Sequence, residues 1–262
     1  MSQKIFQVDS FTNIPFKGNP AGVCILNLPR EEQWMQDVAR EMNLSETAFL
    51  VKQNDGYNLR WFTPTMEVEL CGHATLASAH ILWEEEHLQL SEKAIFHTQS
   101  GLLTAMKNGV WIELDFPALE NEELLSFPEL ASALRTKAIY IGKSVFDYIV
   151  EVESEEVVRN LKPDFVSLGK IPGRGAIVTA TSDTNEYDFV SRYFAPQYGI
   201  DEDPVTGSAH CCLAVYWKNK LHKTEMIGYQ ASSRGGIVKV NVDGNRVKLS
   251  GQTVTVMKGV LL

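Results

Sequence analysis

Two stretches decide the fold of this 262-residue chain. The first is Phe62-Thr63-Pro64-Thr65-Met66-Glu67-Val68-Glu69-Leu70-Cys71-Gly72-His73-Ala74-Thr75. The second is Phe194-Ala195-Pro196-Gln197-Tyr198-Gly199-Ile200-Asp201-Glu202-Asp203-Pro204-Val205-Thr206-Gly207-Ser208. Each opens Phe-x-Pro, crosses an acidic loop, passes a turn containing glycine and enters a run of small and apolar residues that ends in Trp. A motif that recurs once at this distance marks a duplication rather than a solenoid. The two halves are expected to meet near residues 118–135, where Pro117, Glu120 to Glu123 and Pro128 interrupt the pattern. The first half then covers residues 1–125 and the second 126–262, with the last strand free to cross back to the first half.

The runs that follow the two turns, His73 to Trp83 and Ser208 to Trp217, are apolar or small nearly all the way round. That pattern predicts helices enclosed by sheet. Glu31 to Met42 differs, because Trp34, Val38 and Met42 form one stripe after Pro29, as on an amphipathic surface helix. Strand signals are frequent. Lys4–Val8, Ala21–Leu26, Leu59–Phe62, Trp111–Phe116, Ala138–Ile141, Phe146–Val152 and Ala176–Ala180 are short runs rich in aromatic and β-branched residues. Val238, Val240 and Val242 alternate up to Asp243-Gly244-Asn245, and Val247 and Leu249 resume the alternation, which reads as a hairpin.

Composition narrows the function. With 44% hydrophobic and 22% charged residues the chain is an ordinary globular protein. Acidic residues exceed basic ones by 33 − 24 = 9, so the formal charge is −9, which disfavours nucleic acid and anionic membrane as partners. The apolar runs are too short for a spanning helix, and the N-terminal residues enter a strand pattern without the layout of a signal peptide. Cys24, Cys71, Cys211 and Cys212 are too few and too irregularly spaced for a disulfide framework, so reduced thiols and a cytoplasmic location are expected. No G-x-G-x-x-G or Walker pattern is present, and Arg234-Gly235-Gly236 is too short to cradle phosphates, so no dinucleotide or nucleoside triphosphate is expected.

Several residues are candidates for chemistry. A helix start presents unpaired amides and partial positive charge, so Gly72 and Gly207, at the two helix starts, suit a carboxylate ligand. The alternative is that both turns only cap buried helices. Glu46 lies in the mostly uncharged stretch Asn43-Leu44-Ser45-Glu46-Thr47-Ala48-Phe49, where a carboxyl is poised for proton transfer unless it merely caps a helix. Cys71 beside helix amides reads as a base or nucleophile of lowered pKa, or as a small buried residue. His73 and His80 share a helix face, but no third ligand stands at metal spacing, so no metal is expected. Asp203, Ser208 and His73 can be imagined as a hydrolase triad, yet the nucleophile-elbow pattern is missing. Ser208 reads better as an anion binder or an N-cap.

The stretches Gln7–Thr12, Gly18–Val23, Asn43–Phe49, Arg60–Pro64, Cys71–Thr75 and Glu202–Ser208 occur in this order from end to end. Together they resemble the PhzF-like family, within the diaminopimelate-epimerase-like superfamily. The resemblance implies an α+β fold of two pseudo-symmetric halves, each a curved, mostly antiparallel sheet around a central helix, with the site in the cleft between them. It also implies a cofactor-independent proton shift between carbons, as in the dihydro-hydroxyanthranilate isomerase of phenazine biosynthesis. In that scheme Glu46 is the general acid/base, His73 and Asp203 assist catalysis, and Gly72, His73, Gly207 and Ser208 bind the substrate. The resemblance further implies a homodimer. Racemases of the superfamily use two facing thiols, whereas here Cys71 is matched in the second turn by Pro204 and Val205, and Cys211 and Cys212 lie further along the helix. A single carboxyl that serves both carbons on one face is therefore the favoured chemistry. The alternatives are a non-catalytic small-anion-binding protein and an epimerase using Cys71.

Overall fold

The computed structural model describes residues 2–262. The chain forms two compact units, Met1–Phe116 together with Ser250–Leu262, and Pro117–Leu249. In the first unit, β1 (Gln3–Ser10) and β2 (Asn19–Leu26) precede α1 (Glu32–Met42). Then come β3 (Glu46–Gln53), β4 (Gly56–Phe62), the short β5 (Glu67–Val68) and α2 (Gly72–Glu84). Three strands complete the run, β6 (Ala94–Thr98), β7 (Gly101–Asn108) and β8 (Trp111–Pro117). The second unit contains β9 (Asn121–Glu123), α3 (Pro128–Leu134), β10 (Tyr140–Ser144), β11 (Asp147–Glu151), α4 (Glu155–Asn160) and α5 (Phe165–Leu168). It continues through β12 (Gly175–Thr181), β13 (Phe189–Ala195), β14 (Ile200–Asp203), α6 (Gly207–Leu221), β15 (Glu225–Gln230), β16 (Gly236–Asp243) and β17 (Arg246–Gly251). The last strand, β18 (Thr253–Leu261), returns to the first unit and pairs antiparallel with β1.

The duplication seen in the sequence is repeated in the pairing. From β1 to β7 the order is β1-β2-β3-β4-β6-β7, with contacts antiparallel, parallel, antiparallel, parallel, antiparallel. From β10 to β16 the order is β10-β11-β12-β13-β15-β16, with the same alternation. Each parallel contact needs a crossover, and helices supply it: α1 between β2 and β3, α2 between β4 and β6, α4 and α5 between β11 and β12, and α6 between β13 and β15. The boundary falls after Phe116 because β9 pairs with β10 and so belongs to the second unit.

The two enclosed helices are as the sequence pattern predicts. Ten residues of the thirteen in α2 are buried, and α2 packs on β1, β2, β3 and β18. Ten of fifteen are buried in α6, against β15 and β16. Only Met35, Val38 and Ala39 are buried in α1, as expected of a helix laid on a sheet surface. The hydroxyls inside α2 cost little, because Thr75 Oγ1 donates to the Cys71 carbonyl at 2.6 Å and Ser78 Oγ to the Ala74 carbonyl at 2.7 Å. The chain at Gly251 approaches this helix closely, since a Cβ there would stand 2.8 Å from Leu76 Cδ2.

Some elements differ from the sequence expectation. The run placed at 138–141 starts pairing only at Tyr140, although Ile139 already donates its amide to the Glu151 carbonyl. The interruption expected across 118–135 contains β9 and the short α3, whose first residue is Pro128. No helix among the described residues is long and apolar enough to cross a membrane.

Candidate active site

Local chain geometry delivers Glu46. Helix α1 ends at Asn43 in the left-handed conformation (φ 49°), with its amide bonded to the Ala39 carbonyl at 3.1 Å. Asparagine tolerates that conformation, and the reversal lets β3 begin three residues later. Glu46 is thus the first residue of a strand, in parallel register with Ala21, and does not cap a helix.

His73 comes to meet it from the second position of α2. Gly72 is the first helical residue, and Cys71 flanks it in extended conformation without a side-chain cap. The first turn is tied down by Ser10 Oγ, which donates to the His73 carbonyl at 2.8 Å. His73 Nε2 stands 3.1 Å from Glu46 Oε2, with the His73 side chain buried and that of Glu46 largely so, at 6% and 14% exposure. The two atoms are close without being aligned. Neither has a hydrogen-bond partner, although both are sealed from solvent. Buried polar atoms are nearly always satisfied, so this pair is set for a third group.

On its other side the imidazole is supported by Asn19 Nδ2, 3.2 Å from Nδ1, and by Cys71 Sγ at 3.5 Å. Sequence reading missed Asn19, although it lies in one of the quoted motifs. Its amide suits either state of the ring, since it offers both a donor and an acceptor. Burial alone would depress the His73 pKa, but nearby negative charge holds it well above its ordinary value. Cys71 and then Glu46 are the two neighbours responsible.

Of the two readings of Cys71, the small buried residue fits and the activated thiol does not. Burial, reinforced by the Glu46 charge, pushes its thiol up to about 11, and the helix start does not overcome this. At neutral pH Cys71 is a thiol, a poor base and a poor nucleophile. Glu46, Cys71 and His73 do bring three ligand-type atoms within 4.8 Å of one another. A cation there would have to displace the thiol proton and take His73 from its neighbours.

In the second unit Asp203 closes β14 and accepts a hydrogen bond from Thr206 Oγ1 at 2.5 Å. Gln230, at the end of β15, braces this turn. It accepts from the Thr206 amide at 2.9 Å and donates to the Asp203 carbonyl at 2.7 Å. The N-cap of α6 is Thr206, so Ser208 is the second helical residue and not the cap. Ser208 Oγ accepts a hydrogen bond from Arg174 Nη2 at 2.9 Å, which no local sequence signal foretold.

The two helix starts superpose by chemistry. His210 Nδ1 bonds to the Thr206 carbonyl at 2.8 Å, just as Thr75 bonds to the carbonyl of Cys71. Cys71 therefore corresponds to Thr206, and His73 to Ser208. At this position the second unit carries the hydroxyl of Thr206, where the spacing of the repeat alone points to Pro204 and Val205. The structure thus groups Glu46, Gly72 and His73 in the first unit, and Asp203, Gly207 and Ser208 around one braced turn in the second.

A family model described as phenazine biosynthesis-like protein (PhzC-PhzF) matches residues 8–259. An uncharacterized isomerase of Halalkalibacterium halodurans is 54% identical over 263 residues, covering 100% of this chain and 99% of that protein. A PhzF-family protein of Enterococcus faecalis has a crystal structure with a TM-score of 0.95 at 42% identity, covering 100% of both chains. The fold extends further, to a hydroxyproline epimerase from Agrobacterium vitis, at a TM-score of 0.64 and 10% identity over 99% of this chain and 92% of that one.

Proposed function

The chain belongs to the phenazine biosynthesis-like PhzC-PhzF family and is an isomerase, and from that premise we propose that it moves a proton between two carbons of a small carboxylate-bearing metabolite, with Glu46 as the acid/base. The observation that carries this reading is the buried, unaligned approach of Glu46 Oε2 to His73 Nε2. A carboxylate oxygen sealed from water, with a single imidazole for company, is available to a C–H bond of the substrate. Glu46 takes the proton from one carbon as the C–H electrons shift into the adjoining π system. The protonated carboxyl then returns the proton to a second carbon on the same face, so composition is unchanged and no external oxidant or cofactor is needed. His73, whose pKa lies well above its ordinary value, donates a hydrogen bond to charge building on the substrate. Asp203 assists proton transfer, while Gly72, His73, Gly207 and Ser208 hold the substrate. The working assembly is a homodimer in the cytoplasm, in keeping with four cysteines that are all free.

Proton NMR in D2O tests the reading, with wild type and Glu46→Gln each incubated with a panel of small unsaturated and amino carboxylates. Wild type is expected to wash out a C–H signal or move a double bond for at least one of them, and Glu46→Gln to do neither while still binding it. Exchange that persists in Glu46→Gln removes Glu46 from the chemistry. Ligand binding with no exchange in wild type leaves a binding protein instead.

A further inference from the structure

The second helical residue of each unit is met by a side chain from the start of a neighbouring strand. Phe62 pairs with Thr47 in the first unit and Phe194 with Ala176 in the second. These phenylalanines open the two repeated stretches, so Glu46 and Gly175 hold equivalent places, and Arg174 stands one residue earlier. Glu46 reaches His73, and Arg174 reaches Ser208. Gly175 has no room for a side chain, since a Cβ there would lie 2.5 Å from Tyr193 Oη and 2.8 Å from the Phe194 carbonyl oxygen.

That hydroxyl of Tyr193 donates to Asp147 Oδ1 at 2.9 Å. Asp147 is 1% exposed and also receives the Arg174 fork, Nε at 3.0 Å and Nη2 on the other oxygen. The guanidinium lies over the Phe146 ring, with its carbon 4.9 Å from the centroid. Its position is therefore fixed before it touches Ser208. A guanidinium only donates, so the Ser208 oxygen must accept there, and its single O–H turns elsewhere. Among the described residues no protein group accepts that proton.

We propose that Arg174 is a positioning residue that fixes Ser208 as a hydrogen-bond donor to a carboxylate oxygen of the substrate, with Asp147 and Tyr193 holding the guanidinium in place. This rests on the reading of Ser208 as substrate-binding. It adds a role for three residues that lie 15 to 61 positions away in the sequence, and it makes the substrate's anionic group the feature the second unit selects.

The test is an NMR titration of the full chain with benzoate, and with benzamide as the uncharged control, followed at the Ser208 amide. Wild type should show a saturable shift with benzoate and a far weaker response to benzamide. Ser208→Ala and Arg174→Lys should each weaken benzoate about tenfold, the worth of one charge-assisted hydrogen bond. Lysine still neutralises Asp147 but cannot fork onto it and reach Ser208 as well. The double variant should be no weaker than either single one. Should Arg174→Lys fail to fold, the neutral pair Arg174→Gln with Asp147→Asn replaces it, with the same loss expected. An unmoved Ser208 amide in wild type overturns the proposal, as does an additive loss in the double variant, which would mean that Arg174 binds the anion directly. Glu46→Gln should titrate with benzoate like wild type, so benzoate binding at Ser208 together with silence of wild type across the unsaturated and amino carboxylates would count against the isomerase reading alone.

Discussion

Acidification should destabilise the second unit through one residue, His210. This histidine is 0% exposed on the enclosed helix α6, beside the Phe189 ring at 6.0 Å. Its Nδ1–H is spent on the Thr206 carbonyl, and Nε2 is buried without a partner. A second proton would place an unpaired N–H in apolar surroundings, so burial pushes the pKa down from 6.5 to about 4. In the unfolded chain the same side chain titrates near its ordinary value of about 6.5. Between those two values the unfolded state binds more protons than the folded one, so stability falls as pH falls through that window. The whole effect is about 2.5 × 1.36, or roughly 3 kcal/mol, complete near pH 4 and absent above pH 7. It is large against the 5–15 kcal/mol of a typical domain. Trp217 is the only tryptophan between residues 117 and 249 and stacks on Phe189 at 5.9 Å. Urea titrations read by 19F NMR of 5-fluorotryptophan at this position therefore report the second unit alone. Wild type should lose about 3 kcal/mol more than His210→Gln between pH 7 and pH 4. The readout is the difference in pH dependence, so the variant's own stability at pH 7 is immaterial. Equal losses in the two proteins would refute the argument that burial keeps His210 neutral.

Two further outcomes follow from burial and close packing. Alkylation of Cys71 by iodoacetamide should be slow at neutral pH and keep accelerating up to about pH 11, and a plateau below pH 9 in a kinetic series would contradict a protonated thiol. Gly175→Ala should cost about 1–3 kcal/mol, because its Cβ overlaps Tyr193 Oη at 2.5 Å. Adding Tyr193→Phe should recover only part of that loss in a urea melt, since the Phe194 carbonyl at 2.8 Å remains in the way, and a neutral Gly175→Ala would remove the proposed constraint.

What could be read from the sequence was what short-range patterns encode. The helices α2 and α6 announce themselves by lacking a polar face, and the repeat of Phe-x-Pro, acidic loop and glycine turn exposed the duplication that the strand pairing repeats. Glu46 stood out by its uncharged surroundings, and resemblance supplied its role. The missed residues share a different property. Asn19 meets His73 across 54 positions, Arg174 meets Ser208 across 34, and Gln230 meets Thr206 across 24. Nothing local to those side chains records such partners. Cys71 stayed open between two readings for a related reason: the helix start beside it is visible in sequence, but the depth of its burial is not. Ser208 was one candidate for the N-cap, yet backbone angles give that place to Thr206, two residues earlier.

The pairing of β18 with β1 has a bearing on synthesis. Gln3 faces Leu261 and Ser10 faces Thr253, so β1 gains this partner only once β18 has been made. The second unit, from Pro117 to Leu249, holds its own strands and helices and can close while the chain is still being made. The unit that carries Glu46 and His73 must wait with β1 open along one edge until residue 261 has emerged. Of these two units the one that begins first is therefore completed last, and a stop that removed β18 would leave β1 without this partner while Pro117–Leu249 stayed whole.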